Sequence, residues 1–305
     1  MSAGIRAFLL VFPLVVFAFW GSLHTPDPDS AFDDDLVLSS LPPLPAWANK
    51  PLPDFSRYRD TTERKAAFFS FLYPRIALAN SRILIERDYL EALSRKEELS
   101  KPERTWLIRQ AERLRVDEKP ASPAMFKQLH KRLDVIAPSL VLAQAANESA
   151  WGTSRFATKG NNLFGQWCFS KGCGLVPKAR VEGASHEVAR FSSPYRSIRA
   201  YVQNLNSHPA YQGLRDVRLA ARNNDKLASG SALAAGLISY SERGEDYVQE
   251  IRSMIRYNNL AYFDTDFRAT FYGAETGSLQ HLASASKEHA LLPNAGDEEH
   301  SGDIR

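Results

Sequence analysis

One acidic side chain is a candidate for chemistry: Glu148, in the segment LAQAANESAWG. Gln144, Glu148 and Trp151 are three to four residues apart, so on a helix they share one face. A carboxylate beside an aromatic ring near a helix end suits a general acid that protonates a leaving oxygen, because partial burial raises its pKa. The residues alone also fit an ordinary surface glutamate at a helix end, and that simpler interpretation is the one they favour.

A turn-rich run follows at residues 161–165, NNLFG, and Trp167 comes two positions after its last residue. Glycine and asparagine allow tight turns there, and exposed aromatic side chains can stack on sugar rings. Cys168 and Cys173 are five positions apart, a spacing short enough to close a small hairpin loop, so one disulfide or two free thiols are possible. His186 is the nearest histidine and no further ligand joins it, so neither a metal site nor a cofactor is predicted.

The elements that must position these residues are mostly helical. An N-cap residue followed by proline or glutamate predicts helix starts at Asp60, Ser100, Ser122 and Ser193. Ile76, Ile83 and Leu90 recur every seven residues and predict a long buried stripe, whereas Pro74 is expected to break or kink that helix. The only good strand candidates lie at residues 174–191, a predicted hairpin. The expected fold class is therefore mainly α with a small β-hairpin lobe.

The N-terminal segment indicates export. Residues 7–23, AFLLVFPLVVFAFWGSL, are nearly all apolar, at the short end of a transmembrane helix and the long end of a signal sequence. Arg6 precedes this run and acidic residues follow it, as the positive-inside bias requires. The cleavage signal is poor, so residues 1–23 are interpreted as a signal anchor, with a cleaved signal peptide as the alternative. Either places the Cys168–Cys173 pair in an oxidising compartment, where a disulfide persists.

Length and composition exclude several classes. A chain of 305 residues with 44% hydrophobic and 24% charged residues is ordinary for a globular protein. It is not wholly disordered, collagen-like or a polytopic membrane protein. The net charge of +3, from 38 basic and 35 acidic residues, does not suggest a nucleic-acid binder.

Composition also divides the chain into segments. Residues 24–55 contain seven of the 17 prolines and an acidic cluster, which is typical of an extended linker. Residues 56–118 form a predicted helical extension, and residues 119–265 form the predicted catalytic domain. Residues 266–305 are acidic towards their end and show no clear period, so a largely disordered tail is expected.

Four separated segments carry a family resemblance, in this order: TERKAAFFSFLYPRIALANSRILIERDYL, QAANESAWGTSRFATKGNNLFG, NLFGQWCFSKGCGLVP and ISYSERGEDYVQEIRSMIRYNNL. They resemble the bacterial glucosaminidase domain, the mannosyl-glycoprotein endo-β-N-acetylglucosaminidase family of peptidoglycan hydrolases. The resemblance covers residues 58–265 and is strongest to a subgroup of exported proteins with a preceding helical region. It implies a lysozyme-like α+β fold whose small β-lobe lies beside the cleft. Peptidoglycan strands on the periplasmic side of the inner membrane are the implied partner.

The resemblance also implies roles for single residues. Glu148 matches the family's catalytic glutamate, the general acid, and Trp151 lies in its E-S-x-W-G-type motif. Tyr240 and Tyr247 look like the downstream tyrosine motif that faces the cleft, with core packing as the alternative for both. The expected substrate-binding residues are Gln144, Trp151, Asn161, Phe164, Trp167 and Tyr247, of which Asn161 and Phe164 belong to the N-x-F-G-type loop that ends at Gly165.

The second catalytic group stays open. In a two-carboxylate mechanism it lies about 5–5.5 Å from the acid for retention, or about 6.5–9.5 Å for inversion. The β-lobe offers Glu182, which is preferred because it is beside Gly183 at a predicted hairpin tip, and Glu187 on a predicted strand. Alternatively the substrate's own 2-acetamido oxygen attacks, with Tyr240 hydrogen-bonded to that group.

Three functions fit these expectations. The first is hydrolysis of the β-1,4 bond after N-acetylglucosamine. The second is lytic transglycosylation at N-acetylmuramic acid, because a helix-end Glu-Ser pair also resembles that class. The third is a non-catalytic peptidoglycan-binding envelope protein, which would keep the cleft aromatics without needing a protonated Glu148.

Overall fold

The computed structural model describes residues 38, 40–178, 180 and 183–293. Its α-helices within this part of the chain are α1 Thr61–Ser94, α2 Lys101–Arg113, α3 Pro123–Arg132, α4 Pro138–Glu148, α5 Arg155–Gly160, α6 Pro194–Ser207, α7 Gln212–Arg222, α8 Gly230–Leu233, α9 Glu245–Tyr257, α10 Ala261–Phe271 and α11 Thr276–Ala283. Three short strands, β1 Trp167–Cys168, β2 Gly174–Leu175 and β3 Glu187–Ala189, form an antiparallel sheet in the order β1-β3-β2. The predicted class, mainly α with a small β-lobe, is confirmed. The lobe has a third strand, β1, that lies before the predicted hairpin.

The helix starts follow the local sequence. Asp60 accepts a 2.8 Å hydrogen bond from the Glu63 N–H at the start of α1. Ser100 and Glu103 form a capping box at α2. Ser122 and Ser193 accept from the third backbone N–H of α3 and α6, and proline occupies the first helical position in both. These caps satisfy donors that a helix leaves unpaired at its first turn, so the predicted starts are confirmed.

Helix α1 runs through Pro74, so of the two predicted outcomes at this residue, a break or a kink, the break is wrong. Proline removes one helical hydrogen bond but does not prevent neighbouring residues from packing. Nearly every residue from Phe68 to Glu86 is buried, and this burial holds the helix together across the proline. The predicted stripe of Ile76, Ile83 and Leu90 is buried as expected, with each residue at most 2% exposed.

One hydrophobic core extends from Leu38 to Leu291 and includes parts of both segments that composition marks as unstructured. In the predicted linker, Trp47 and Phe55 are buried. In the predicted tail, α11 packs against α1 and buries Leu279. The boundaries at residues 55 and 266 are therefore corrected. Proline and acidic residues determine the exposed sides of these segments, while the few apolar residues between them insert into the core.

Arg75 joins the two ends of the described chain. Its guanidinium is fully buried, and its Nη2 donates to the Trp47 carbonyl at 2.8 Å. Its Nη1 forms an ion pair with Glu288 at 2.9 Å. The Trp47 indole N–H in turn donates to the Ala285 carbonyl at 2.8 Å. Residues before α1 and after α11 are thus bound to each other as well as to α1.

Asp134, between α3 and α4, is the centre of a buried ionic cluster. Arg222 binds both of its carboxylate oxygens, one of them at 2.9 Å, and Arg218 and Arg87 approach within 3.7 and 3.9 Å. Burial alone would raise the pKa of Asp134, but the arginine charges outweigh it and hold the pKa at about 2. The cluster fixes the start of α4 relative to α1 and α7.

The membrane prediction concerns residues that the structure does not describe. Residues 1–23 lie outside the described part of the chain, as do residues 294–305 of the predicted tail. Among the residues that are described, every helix is too short or too polar to cross a membrane. The signal anchor stays a prediction.

Candidate active site

Helix α4 ends at Glu148 in an unusually tight turn. Ala150, Trp151 and Gly152 all have left-handed backbone angles, with φ of 50°, 59° and 76°. Non-glycine residues adopt this region at a cost of roughly 1–2 kcal/mol each. The Trp151 N–H donates to the Ala146 carbonyl at 2.9 Å, and the Ser149 hydroxyl accepts from the Gly152 N–H at 2.8 Å. Strain concentrated beside one carboxylate is typical of functional sites.

The turn brings Trp151 back onto α1. Its ring packs edge-on against Phe68 and Phe69, with centroids 5.7 and 5.5 Å away, and the Lys65 ammonium lies 5.0 Å from the Trp151 ring. The predicted substrate-binding residue is therefore half-buried and anchors the turn. Direct contact between Trp151 and a substrate stays a prediction.

Gly152 provides a test of this turn. A Cβ atom at residue 152 would lie 2.6 Å from a ring carbon of Phe55, in addition to the left-handed strain. Overpacking and strain together predict that Gly152→Ala lowers the free energy of unfolding by roughly 2–4 kcal/mol. Gly273→Ala is the matched control, because φ is 78° there and nothing lies within 4 Å of the added atom. Urea denaturation of both variants should show a clearly larger loss for Gly152→Ala, and equal losses would contradict the proposed Phe55 contact.

Glu148 is half-buried, and the groups around it change the pKa of its carboxyl group. Burial raises its pKa, and the charge of Glu250 acts in the same direction. Hydrogen bonds from Tyr247 and Asn147, and the charge of Arg243, act in the opposite direction but do not cancel the effect of burial. The Tyr247 hydroxyl donates to Oε1 of Glu148 at 2.7 Å. The pKa of Glu148 is consequently above that of an ordinary glutamate, which favours a carboxyl group able to donate a proton.

A buried chain of hydrogen bonds determines which oxygen of Glu148 accepts the hydrogen bond from Tyr247. The Tyr201 hydroxyl donates to Oε1 of Gln144, and Nε2 of Gln144 donates to the Tyr247 hydroxyl oxygen at 2.9 Å. Because the Tyr247 oxygen already accepts from an amide, its single proton is directed to Glu148. Gln144 is fully buried and its amide is used by the two tyrosines. Its helical spacing from Glu148 reflects this supporting contact, and substrate binding by Gln144 stays a prediction.

The N-x-F-G loop passes the other carboxylate oxygen. Gly165 has φ of 66°, and a Cβ atom there would lie 3.9 Å from Oε2 of Glu148. Phe164 is 3% exposed and stacks on Tyr201 with centroids 4.0 Å apart, so its side chain packs in the core and its role in substrate binding stays a prediction. The loop places backbone rather than a side chain beside Glu148.

The two tyrosines of the YSERGEDY motif stack on each other with centroids 5.4 Å apart, and they have different tasks. The Tyr240 hydroxyl donates to the Phe164 carbonyl at 3.0 Å and so holds the loop. Tyr247 is 2% exposed and contacts Glu148 directly. Tyr247 contacts Glu148 from within the core, and the Tyr240 hydroxyl bonds the loop. Substrate binding by Tyr247 and a catalytic role of Tyr240 stay predictions.

The predicted second carboxylate has two candidates with different outcomes. Glu182 lies outside the described residues. Glu187, on β3, accepts from the backbone N–H groups of Gly172 and Gly174 at 3.0 and 2.8 Å, and these bonds lower its pKa. Both of its oxygens are therefore used to hold the loop between β1 and β2. The carboxylate of Glu187 therefore has a structural role and is not free to act in catalysis.

The predicted disulfide between Cys168 and Cys173 is present and closes the same loop. The two sulfur atoms and the Glu187 carboxylate lie within 4.8 Å of one another, a spacing that could suit a metal ion. Because both sulfur atoms are in the disulfide, they have no thiolate to offer as a ligand.

Trp167 is the most exposed aromatic residue of the β-lobe, at 59%. One face of its ring stacks on His186 at 4.2 Å, which orients the indole. Asn161 has a left-handed backbone at the end of α5, and its amide donates to the Phe191 carbonyl at 2.9 Å. Trp167 has the exposed surface that a sugar-binding residue needs. The side chain of Asn161 is already used to join α5 to the segment after β3.

Sequence reasoning did not identify Tyr201, Arg243 or Glu250. Tyr201 belongs to the apolar face of α6 and carries no motif that marks it. Arg243 and Glu250 form an ion pair at 2.7 Å and flank Tyr247 in the motif, so their i−4 and i+3 spacing from that residue is a signal for their proximity.

Comparison with known proteins agrees with this fold and site. Residues 123–260 match the Glucosaminidase family model, described as mannosyl-glycoprotein endo-beta-N-acetylglucosaminidase. An α-rich fold with a helix-end glutamate beside a small β-lobe fits that class, and the domain is lysozyme-like. The chain is 36% identical to Protein bax of Escherichia coli (strain K12) over 208 residues. The matched stretch covers 68% of this chain and 74% of that protein. The chain therefore belongs to the glucosaminidase-domain family, in the Protein bax subgroup. No solved structure matches it significantly.

Proposed function

We propose that this protein is a peptidoglycan hydrolase that cleaves the β-1,4 bond after N-acetylglucosamine, with Glu148 as the general acid. Family membership indicates a glycan hydrolase, and the environment of Glu148 is the observation that supports the specific role. A half-buried carboxyl group with a raised pKa at the open end of a helix is suited to protonating a leaving oxygen.

The hydrogen bonds around Glu148 support a particular position for the proton. Oε1 accepts from Tyr247 and cannot carry the transferable proton without losing that bond. Oε2 lies beside the backbone of Gly165, where no side chain intervenes. In the proposed step Oε2 donates its proton to the glycosidic oxygen, the bond from that oxygen to the anomeric carbon breaks, and Glu148 is left as a carboxylate.

Two hypotheses remain for the group that attacks the anomeric carbon. Glu182 is the carboxylate that the sequence favours, and the substrate's 2-acetamido oxygen is the alternative. Assays of Glu182→Gln and Glu187→Gln separate them. A loss of roughly 100-fold or more in Glu182→Gln alone supports a protein carboxylate. Near-normal turnover in both variants supports the acetamido route.

Product analysis tests the proposed reaction. Purified sacculi are digested with the protein, the fragments are reduced with borohydride, and the ends are identified by mass spectrometry. New reducing N-acetylglucosamine ends are expected. Anhydromuramyl ends would show a lytic transglycosylase instead, and sacculi that bind the protein without any new ends would show the non-catalytic alternative.

Tyr247→Phe tests the link between Tyr247 and the protonation of Glu148. The hydroxyl lowers the pKa of Glu148 by stabilising its charged form, so its removal should raise that pKa further. A general acid is active while protonated, so the fall in activity at alkaline pH should move to higher pH, by up to about one unit for a bond to a charged group. The measurement is the pH profile of sacculus hydrolysis.

Tyr240→Phe is the matched control for this profile. Its hydroxyl bonds the Phe164 carbonyl and not Glu148, so its loss should lower the rate without moving the alkaline limb. A shift of the same size in both variants would argue against a specific effect of Tyr247 on Glu148.

We also propose that the protein acts outside the cytoplasm, on the periplasmic side of the bacterial inner membrane. The apolar N-terminal segment and the Cys168–Cys173 disulfide support this location, since disulfides persist in oxidising compartments. Protease accessibility of the full-length protein in spheroplasts tests it, and a protein protected until the inner membrane is lysed would contradict it.

A further inference from the structure

A cavity of about 340 Å³ lies between α3, α7 and the segment that follows α2. Four cations line it: Arg115, Lys131, Arg132 and Arg215. Two exposed acids, Asp117 and Glu118, also line it. The volume is within the range of small-molecule sites, roughly 300–1,000 Å³, and the lining carries an excess of positive charge.

Three of these cations have no acidic partner. Lys131 is paired with Asp216, but no carboxylate of the described residues lies within ion-pairing distance of Arg115, Arg132 or Arg215. Exposed arginines without partners are common. Arg215, however, is 2% exposed, and a buried charge without a counter-ion is costly.

The guanidinium groups of Arg132 and Arg215 are held in place by backbone carbonyls. Nη1 of Arg132 donates to the carbonyls of Leu114 and Ser207, at 2.7 and 3.0 Å. Nη1 of Arg215 donates to those of Leu205 and His208, at 2.9 and 2.8 Å. In the described structure the second terminal nitrogen of each guanidinium makes no hydrogen bond. Both guanidinium groups are thus held in place, and each keeps N–H donors that could bind a ligand.

The three guanidinium groups also repel one another. Burial and the Arg132 charge lower the pKa of Arg215 to about 10, although Asp216 acts weakly in the opposite direction. Burial and the charge of Arg115 lower the pKa of Arg132. An anion placed between them would relieve this repulsion. Fixed, planar guanidinium groups bind carboxylate and phosphate oxygens in pairs, which is the geometry that favours such a ligand.

We propose that the cavity lined by Arg115, Arg132 and Arg215 binds a small molecule with two or more oxyanion groups, of the carboxylate or phosphate type. The ligand lies on the side of α7 that carries Arg215, and Arg115 contacts it from the exposed side of the cavity. This site is independent of the proposed hydrolase function, because none of its residues contacts Glu148 or the tyrosines around it.

Calorimetric titration with pyrophosphate and with citrate, each against sodium chloride at equal ionic strength, tests the proposal. Saturable binding of either probe is expected, and the stronger of the two indicates whether phosphates or carboxylates are the natural class. No binding of either beyond the chloride control would overturn it.

Two surface variants locate the binding. Arg115→Gln removes a cavity cation that makes no hydrogen bond in the described structure, so the fold should be retained while the Kd rises at least about tenfold. Lys119→Gln is the matched control, because it removes one exposed charge from the same segment outside the cavity and should change the Kd less than twofold. Equal weakening in the two variants would indicate general charge attraction and would overturn the assigned site.

Discussion

Replacing Glu148 by glutamine is expected to reduce the release of glycan fragments from purified sacculi by about 10²–10⁴-fold, the usual contribution of a general acid. Glutamine has the same shape and its carbonyl oxygen can still accept the Tyr247 hydrogen bond, but it has no proton to donate. The free energy of unfolding should be unchanged or slightly higher at neutral pH, because a half-buried carboxylate with a raised pKa disfavours the folded state when ionised.

Glu250→Gln is the matched control for this result. It removes a carboxylate whose charge acts on Glu148 but which lies one helical turn beyond Tyr247 and is paired with Arg243. Because the Glu250 charge raises the pKa of Glu148, its removal should move the alkaline limb of activity to lower pH and leave substantial turnover. If Glu148→Gln kept wild-type release, the assignment of the general acid would be wrong.

Asp134→Asn is expected to lower the free energy of unfolding at pH 7 by roughly 3–5 kcal/mol, the usual cost of removing one partner from a buried ion pair. Asparagine can still accept one hydrogen bond from Arg222, but Arg218 loses the carboxylate that compensates its buried charge. Urea denaturation of wild type and variant measures the difference. The half-exposed Asp216, paired with Lys131, is the control site, and Asp216→Asn should cost about 1 kcal/mol or less.

The effect of Asp134 should also depend on pH. Its pKa is about 2 in the folded protein and about 3.9 in an unfolded chain. The stability that its charge contributes is therefore fully present above about pH 5 and is lost as the pH falls through about 2. The difference between wild type and Asp134→Asn should shrink by roughly 2 kcal/mol over that range. A difference that stayed constant down to pH 2 would contradict the ionic origin of the effect.

Local signals in the sequence were sufficient to predict the helix starts. An N-cap side chain and its target N–H are three residues apart, so Asp60 and Ser122 could be identified without knowing the fold. The disulfide could be foreseen for a similar reason, since Cys168 and Cys173 are close together in the chain.

The roles of Gln144 and Phe164 could not be obtained in this way. Helical spacing shows that Gln144 shares a face with Glu148, but α6 and α9, which bury that face, begin about fifty and a hundred residues later. Burial of Phe164 likewise depends on Tyr201 of α6. The same limit applies to the acidic, proline-rich segments, because composition averages over residues and hides the single apolar side chain, such as Trp47, that inserts into a distant core.

Arg75 contacts both Trp47 and Glu288, so the folded unit extends beyond the region that the family model matches. The family match covers residues 123–260, yet Trp47 and Ala285, 238 positions apart, share a hydrogen bond. Arg75 between them is fully buried. Trimming the chain to the matched region would remove α1 together with Arg75 and expose the faces of α4 and α6 that pack against α1. Local opening around Trp47 therefore weakens the contacts around Glu288, and these two segments are expected to melt in a single cooperative step with the domain between them.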